Sequence, residues 1–147
     1  MKDHYIKKAL WSLCLISSIG MSAQTFNLDG IAYEVNSAIE HTVSVVKNAE
    51  GYTGSVVIPA MVSHEGVAYT VTAIDYEAFY DCSKLKAVTL PAGLKQIGVD
   101  AFRDCVGLSK IEIPESVETI GGHAFSCCEN LQTVTLGEGL GRIGEYA

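Results

Sequence analysis

The sequence has 147 residues, of which 10 are basic and 17 are acidic, so its formal net charge at neutral pH is −7. This length is sufficient for one domain with a modest core. An acidic chain without a basic stripe is a poor candidate for binding nucleic acid or anionic membrane surfaces, so we expect neither as a partner.

Residues 1–23 have the features of a secretory signal peptide. Three lysines lie near the start, an apolar run covers residues 9–20, and small residues precede Gln24. The apolar run is too short to span a bilayer comfortably. We therefore expect this segment to be removed, and the mature chain to be secreted or displayed on the outer cell surface without inserting into the membrane.

Residues 24–72 are predicted to form a β-rich N-terminal cap with a hairpin. Their strand-like runs cover residues 31–35, 42–46, 55–58 and 68–71. The polar break at residues 63–66 predicts the hairpin, with Gly66 in a positive-φ conformation. Residues 56–59 resemble an element of the repeats that follow, so we interpret the hairpin as an insertion in the first unit. A cap of this kind covers the core and strand edge that the first unit would otherwise expose.

Residues 73–147 contain one motif that recurs with a fixed period of 23 (102 − 79 = 23). The positions that keep this step include Phe79, Phe102 and Phe125, then Cys82, Cys105 and Cys128, and then Leu85, Leu108 and Leu131. Such a period predicts a solenoid of about three and a fraction repeats, each burying its apolar residues against its neighbours. Because Ala147 is the alanine of a fourth Ala-Phe pair, we expect the array to be truncated at its C-terminus.

Each repeat contains two kinds of local pattern. The L-x-x-V-x-L run predicts a short strand, and the strands of successive repeats are expected to form a parallel sheet on the concave face. The A-F-x-x-C run predicts a short helical or 3₁₀ turn on the convex face, with the phenylalanine directed inward.

The stretch IGVDAFRDCVGLSKIEIPESVETIGGHAFSCCENLQTVTL resembles the BspA-like leucine-rich repeat family at nearly every signature position. The similarity covers about residues 50–147. It implies a curved solenoid, secretion or surface display, and binding of host or bacterial surface molecules, including adhesion to extracellular matrix. Two departures concern turns. Gly137 takes the place of a proline, and Asp75 takes the place that Gly98 has in the next repeat.

The cysteines of the repeats are predicted to have two different environments. Cys82, Cys105 and Cys128 share one position beside the inward phenylalanine, which favours a buried ladder of small apolar thiols. Their stacking distance is also compatible with a disulfide between neighbours. A row of thiols does not offer the tetrahedral ligand set of zinc, so we expect no metal site. Cys127 aligns with Asp81 and is therefore the candidate exposed thiol.

No pattern in the sequence indicates catalysis or a cofactor. Residues 139–144 match G-x-G-x-x-G, but Gly144 aligns with Gly98 and Gly121, so the repeat already accounts for it. No serine or cysteine has a partner residue suggested by spacing. We therefore predict a protein that is not an enzyme, with no catalytic residues and no cofactor.

The alternation of the predicted strands defines a candidate binding face. If Leu85, Val88 and Leu90 point inward, their neighbours and the equivalents of those neighbours point outward: Ala87, Thr89, Lys110, Glu112, Thr133 and Thr135. We predict that this face binds a protein, either host extracellular matrix or another bacterial surface protein. The alternatives are a carbohydrate-binding surface module, which the absence of aromatic residues disfavours, and a purely structural fragment of a longer array.

Overall fold

A computed structural model describes residues 24–147, and the predicted signal peptide lies outside the described residues. The described part contains no helix and twelve strands: β1 (Thr25–Leu28), β2 (Ile31–Ser37), β3 (Thr42–Val46), β4 (Gly54–Val57), β5 (Met61–His64), β6 (Val67–Ile74), β7 (Leu85–Thr89), β8 (Gln96–Ile97), β9 (Lys110–Glu112), β10 (Thr119–Ile120), β11 (Thr133–Thr135) and β12 (Arg142–Ile143). Within these residues, no helix has the length and apolar character needed to cross a membrane.

The first three strands form an antiparallel meander. Asp29 and Gly30 connect β1 to β2 with φ values of 50° and 81°, which are the positive angles that a two-residue hairpin turn requires. Strands β2 and β3 also pair antiparallel. The predicted strands at residues 31–35 and 42–46 are confirmed, since β2 and β3 contain them.

The predicted hairpin is formed by β5 and β6, which pair antiparallel. Glu65 and Gly66 occupy its turn with φ values of 50° and 79°, so the prediction of a positive φ at Gly66 is confirmed. Strand β6 then runs on to Ile74, which pairs in parallel with Ile97 of β8. The hairpin is therefore connected directly to the strands of the repeats.

Two stacks of strands run through the repeats. The larger is an eight-stranded sheet in the order β1-β2-β3-β6-β8-β10-β12, with β5 attached to β6. Its last strands are parallel, and Gln96 pairs with Thr119, which pairs with Arg142, in steps of 23 residues (119 − 96 and 142 − 119). The second stack consists of two parallel pairs, β4 with β7 and β9 with β11. Val56 of β4 lies opposite Val88 of β7, which confirms that residues 56–59 correspond to the strand element of the repeats.

The A-F-x-x-C segments are stacked turns, and the predicted short helical or 3₁₀ turns are not found there. Each segment is hydrogen-bonded to the next. The N–H of Phe79 donates to the carbonyl of Ala101, and the N–H of Phe102 donates to that of Ala124, both at 2.8 Å. Glu77 and Asp81 have φ values of 52° and 57°. A left-handed residue on each side of the phenylalanine interrupts a right-handed helix, which explains the difference.

Aromatic rings form a continuous column through the core. Ring centroids are separated by 4.4 Å for Tyr52 and Phe79, 4.8 Å for Phe79 and Phe102, and 5.4 Å for Phe102 and Phe125. The hydroxyl of Tyr52 donates to the carbonyl of Val46 at 2.7 Å and accepts a hydrogen bond from the N–H of Ala32 at 3.1 Å. Tyr52, which the repeat period does not identify, therefore joins the first strands to the column of phenylalanines.

Successive repeats approach each other closely at a column of glycines, Gly98, Gly121 and Gly144. A Cβ atom at Gly98 would lie 2.7 Å from the backbone carbon of Asp75, and one at Gly121 would lie 2.4 Å from the backbone nitrogen of Val99. Asp75 takes the corresponding position in the first repeat. The neighbour of this position is strand β3 and not another repeat. Its carboxylate accepts hydrogen bonds from the N–H of Tyr76 at 2.6 Å and the hydroxyl of Ser44 at 3.2 Å. The aspartate thus connects the repeats to β3.

Candidate functional site

The six residues of the candidate binding face lie on β7, β9 and β11. Lys110 pairs with Thr133 and Glu112 pairs with Thr135 across the parallel strands. Ala87 is half-buried and the other five are exposed. Val88 and Ile111, which lie between them on their strands, are buried. This alternation arranges the face as two rows, with one residue from each strand in each row.

Both rows extend onto β4, a strand that lies outside the predicted binding face. Ser55 pairs with Ala87, and Val57 pairs with Thr89. Ser55 is exposed, and Val57 is 67% exposed although it is a large apolar residue. The signal that could have identified them is the similarity of residues 56–59 to the strand element of the repeats.

A groove of about 430 Å³ lies over the face. Five residues of the candidate binding face line it, namely Ala87, Thr89, Lys110, Glu112 and Thr135. Other lining residues come from the buried positions of the same strands and from the segments after β7, β9 and β11, among them Leu90, Glu115 and Leu136. The groove lies where the β4–β7 pair meets the β9–β11 pair, which are separate sheets. Its volume is in the range of ligand-binding clefts.

The charged side chains of the groove have no internal partners. Among residues 24–147, Lys110, Glu112 and Glu115 take part in none of the ion pairs and in no side-chain hydrogen bond. On the neighbouring strand, Thr133 lies beside Lys110 and Thr135 lies beside Glu112. Both threonines have short, uncharged side chains. The ammonium and carboxylate groups are therefore free to interact with a bound molecule.

Two of the ladder thiols act as hydrogen-bond donors between successive repeats. The Sγ of Cys105 donates to the carbonyl of Phe79, and the Sγ of Cys128 donates to that of Phe102, both at 3.1 Å. Burial raises the pKa of the Cys105 thiol, and it raises the pKa of Cys128 to about 11. These cysteines, like Cys82 and Cys127, are free and not in disulfides. Cys105 and Cys128 therefore connect neighbouring turns as neutral thiols.

Cys82 and Cys127 differ in exposure. Cys82 is buried, its Sγ accepts a hydrogen bond from the N–H of Tyr52 at 3.3 Å, and burial raises its pKa. Cys127 is exposed and has a φ of 58°, the conformation that its equivalents Asp81 and Asp104 also have. The candidate thiol thus lies at the surface, on the turn segment and away from the groove.

The glycine motif and His123 take part in contacts between neighbouring repeats. Gly144 lies against the backbone of Gly122, at the place in its repeat that Gly98 and Gly121 have in theirs. His123 stacks on Tyr146 with ring centroids 5.2 Å apart. In the part of the chain that the structure describes, no group of three or more histidine, cysteine, aspartate or glutamate side chains could hold a metal ion.

Comparison with known proteins places these features in one family. A family model described as the BspA type leucine rich repeat region matches residues 66–147 in six copies. A search of curated proteins finds no match. The matched residues include the ladder cysteines, the glycine column and the candidate binding face.

Solved structures of bacterial leucine-rich repeat proteins are similar to this chain. A protein from Bacteroides capillosus is 28% identical with a TM-score of 0.73, and the match covers 81% of this chain and 86% of that one. One from Bacteroides ovatus is 33% identical with a TM-score of 0.71, covering 81% of this chain and 31% of that one. The T. pallidum leucine rich repeat protein is 26% identical with a TM-score of 0.64, covering 86% and 53%. The chain thus spans about half of the T. pallidum protein and about a third of the B. ovatus protein.

Proposed function

The chain belongs to the BspA-type leucine-rich repeat family, and on that premise we propose that it is a non-enzymatic repeat protein that binds another protein through the candidate binding face. The observation that carries this proposal is the groove of about 430 Å³, which five of the six predicted residues line. Repeat proteins of this architecture use extended strand surfaces for binding.

The proposal includes the organisation of the chain. Residues 1–23 are a signal peptide, residues 24–72 form the β-rich cap, and residues 73–147 form a solenoid of 23-residue repeats. The register of β8, β10 and β12 supports the repeat length, since paired residues are 23 positions apart. The charged and apolar pattern of residues 1–23 supports export to the exterior or to the cell surface.

We propose that the partner is a host extracellular-matrix protein or another bacterial surface protein. The face contains threonine, alanine, lysine and glutamate, and its extension adds Ser55 and Val57. A carbohydrate platform would present aromatic rings, and none of these eight positions is aromatic. This composition favours a protein partner over a glycan.

Binding assays with one face variant and one matched variant test the proposal. The chain is measured against fibronectin, laminin and collagen, and against a glycan array. Thr135→Arg places a long charged side chain in the groove and is expected to weaken binding to the matrix protein at least tenfold. Gln96→Arg, at an exposed position of strand β8 in the other stack, is the control and is expected to leave binding unchanged. Binding to glycans alone would contradict the proposal. So would a Thr135→Arg variant that binds the matrix protein as tightly as the Gln96→Arg variant does.

A further inference from the structure

We propose that the groove recognises an extended segment of the partner that carries an acidic and a basic side chain two residues apart. The acidic side chain pairs with Lys110, and the basic side chain pairs with Glu112 and Glu115. This inference rests on the proposed protein-binding function and specifies the chemistry of the partner.

The charge pattern of the face is the first reason. Lys110 and Glu112 are the only charged residues in the two rows, which also contain Ser55 and Val57, Ala87 and Thr89, and Thr133 and Thr135. They lie on the same strand with buried Ile111 between them. Alternate residues of a strand point to the same side and are ~6.6 Å apart. The groove therefore presents a positive and a negative side chain from strand positions ~6.6 Å apart.

The absence of internal pairing is the second reason. Within residues 24–147, neither Lys110 nor Glu112 takes part in an ion pair, whereas the exposed side chains of Lys95 and Glu118, just before β8 and β10, are joined at 2.9 Å. Glu115 also lines the groove and adds a second carboxylate to it. A ligand with a single charge would attract one of these groups but would be repelled by the other. This disfavours a simple anion or cation as the ligand.

The shape of the groove is the third reason. An extended peptide places every second side chain on one face at the same ~6.6 Å spacing as the strand beneath it. An acidic and a basic residue separated by one residue can therefore contact Lys110 and Glu112 together. If the two were adjacent in sequence, they would point to opposite faces and only one could enter the groove.

Two synthetic peptides of identical composition test this spacing. The first is Ser-Thr-Val-Asp-Thr-Lys-Val-Thr-Ser, in which the charges are two residues apart. The second is Ser-Thr-Val-Asp-Lys-Thr-Val-Thr-Ser, in which they are adjacent. Affinities for the full chain are measured by fluorescence anisotropy of labelled peptides at low ionic strength. We expect the first peptide to bind at least fivefold more tightly, with a difference that decreases as salt is added.

Neutral variants assign the preference to the two groups. Lys110→Gln and Glu112→Gln are each expected to reduce the preference to less than twofold. Lys95→Gln, which removes an exposed lysine from the other stack, is expected to retain it. Circular dichroism confirms that each variant is folded before its affinities are compared.

The outcomes separate this inference from the proposed function. Equal affinity for both peptides, or a preference that survives both neutral variants, would overturn the inference. If Thr135→Arg nevertheless loses a matrix protein that the unchanged chain binds, protein binding at the face stands and only the charge spacing is wrong. If the first peptide binds more tightly and the neutral variants of Lys110 and Glu112 abolish this preference, the inference and the proposed function are both supported.

Discussion

The hydroxyl of Tyr52 lies 2.7 Å from the backbone oxygen of Val46 and donates a hydrogen bond to it, while the ring of Tyr52 lies on Phe79. One side chain thus fixes the first strands and the aromatic column relative to each other. Tyr52→Phe retains the ring but leaves the buried N–H of Ala32 without its acceptor. We expect the free energy of unfolding to fall by about 1–3 kcal/mol in urea titrations. Tyr146→Phe, at a position 77% exposed, is the control and should change it by less than about 0.5 kcal/mol.

Alkaline pH should destabilise the protein. Burial raises the pKa of Tyr33 and of Tyr52 to about 12, and it also raises the pKa of the ladder thiols. Because these groups are more readily deprotonated when unfolded, their contribution to stability is complete below their unfolded pKa values. It is lost as pH rises, from about 9 for the thiols and about 10 for the tyrosines. Urea titrations between pH 7 and 12 should therefore show constant stability up to about pH 9 and a steady decrease above it.

The same titrations with Tyr52→Phe identify the contribution of one tyrosine. This variant is less stable at pH 7 but has one ionisable group fewer. Its decrease between pH 10 and pH 12 should therefore be smaller than that of the unchanged chain. An equal decrease in both proteins would show that Tyr52 does not contribute to the pH dependence.

A methyl group at Gly121 should be strongly destabilising. The added Cβ would lie 2.4 Å from the backbone nitrogen of Val99, and backbone cannot move aside without separating the two repeats. We expect Gly121→Ala to reduce the free energy of unfolding by about 3 kcal/mol. At Gly93 a Cβ would meet nothing within 4 Å, so Gly93→Ala should change stability by less than about 0.5 kcal/mol. Thermal denaturation of both variants measures the difference, and similar melting temperatures would refute the close approach.

Thiol reactivity should separate Cys127 from the ladder cysteines. The mature chain, residues 24–147, is treated with a chromogenic disulfide reagent at pH 8. One thiol per chain should react rapidly in the native state and four after unfolding. The other three have raised pKa values, which suppress their thiolates, and Cys82 and Cys105 are buried while Cys128 is half-buried. Cys127→Ser should abolish the rapid phase. Three or more rapidly reacting thiols in the native chain would be inconsistent with a buried ladder.

Replacing Cys127 by asparagine should stabilise the protein. The residue has a φ of 58°, and the equivalent positions Asp81 and Asp104 have φ values of 57° and 59°. Asparagine and aspartate tolerate this conformation better than cysteine, so Cys127→Asn should raise the free energy of unfolding by about 0.5–1 kcal/mol. Glu129→Asn, at an exposed position without a positive φ, is the control and should produce no gain. A loss of stability in Cys127→Asn would mean that the cysteine side chain has a stabilising role.

The period of the sequence predicts much of the core because each repeat packs against a copy of itself. Phe79, Phe102 and Phe125 therefore had to stack, and the residues of the candidate binding face had to fall into rows. The turn geometry could not be predicted in this way. The left-handed conformations of Glu77 and Asp81 accompany backbone hydrogen bonds to the next repeat, and local sequence preferences do not report such bonds.

Features outside the period were also missed. Tyr52 continues the aromatic column although the first unit contains a hairpin insertion that hides its alignment. The groove lies where β7 and β9 belong to separate pairs, and a repeating sequence predicts one uniform sheet there. At these two places the structure departs from strict repetition. The pattern of one repeat therefore does not predict the structure of its neighbour there.

The hydrogen bonds between turn segments connect equivalent backbone atoms of successive repeats, as Phe79 is bonded to Ala101 and Phe102 to Ala124. Any internal repeat therefore meets its neighbours through the same atoms. Genetic recombination between two repeats of such a gene can delete or duplicate a whole unit, and the new junction would still join matching surfaces. The first repeat is not interchangeable in this sense, because Tyr52 and Asp75 connect it to strands that have no counterpart elsewhere in residues 24–147. Such an exchange would change the number of repeats by whole units and leave the contacts of Tyr52 and Asp75 at the N-terminal junction unchanged.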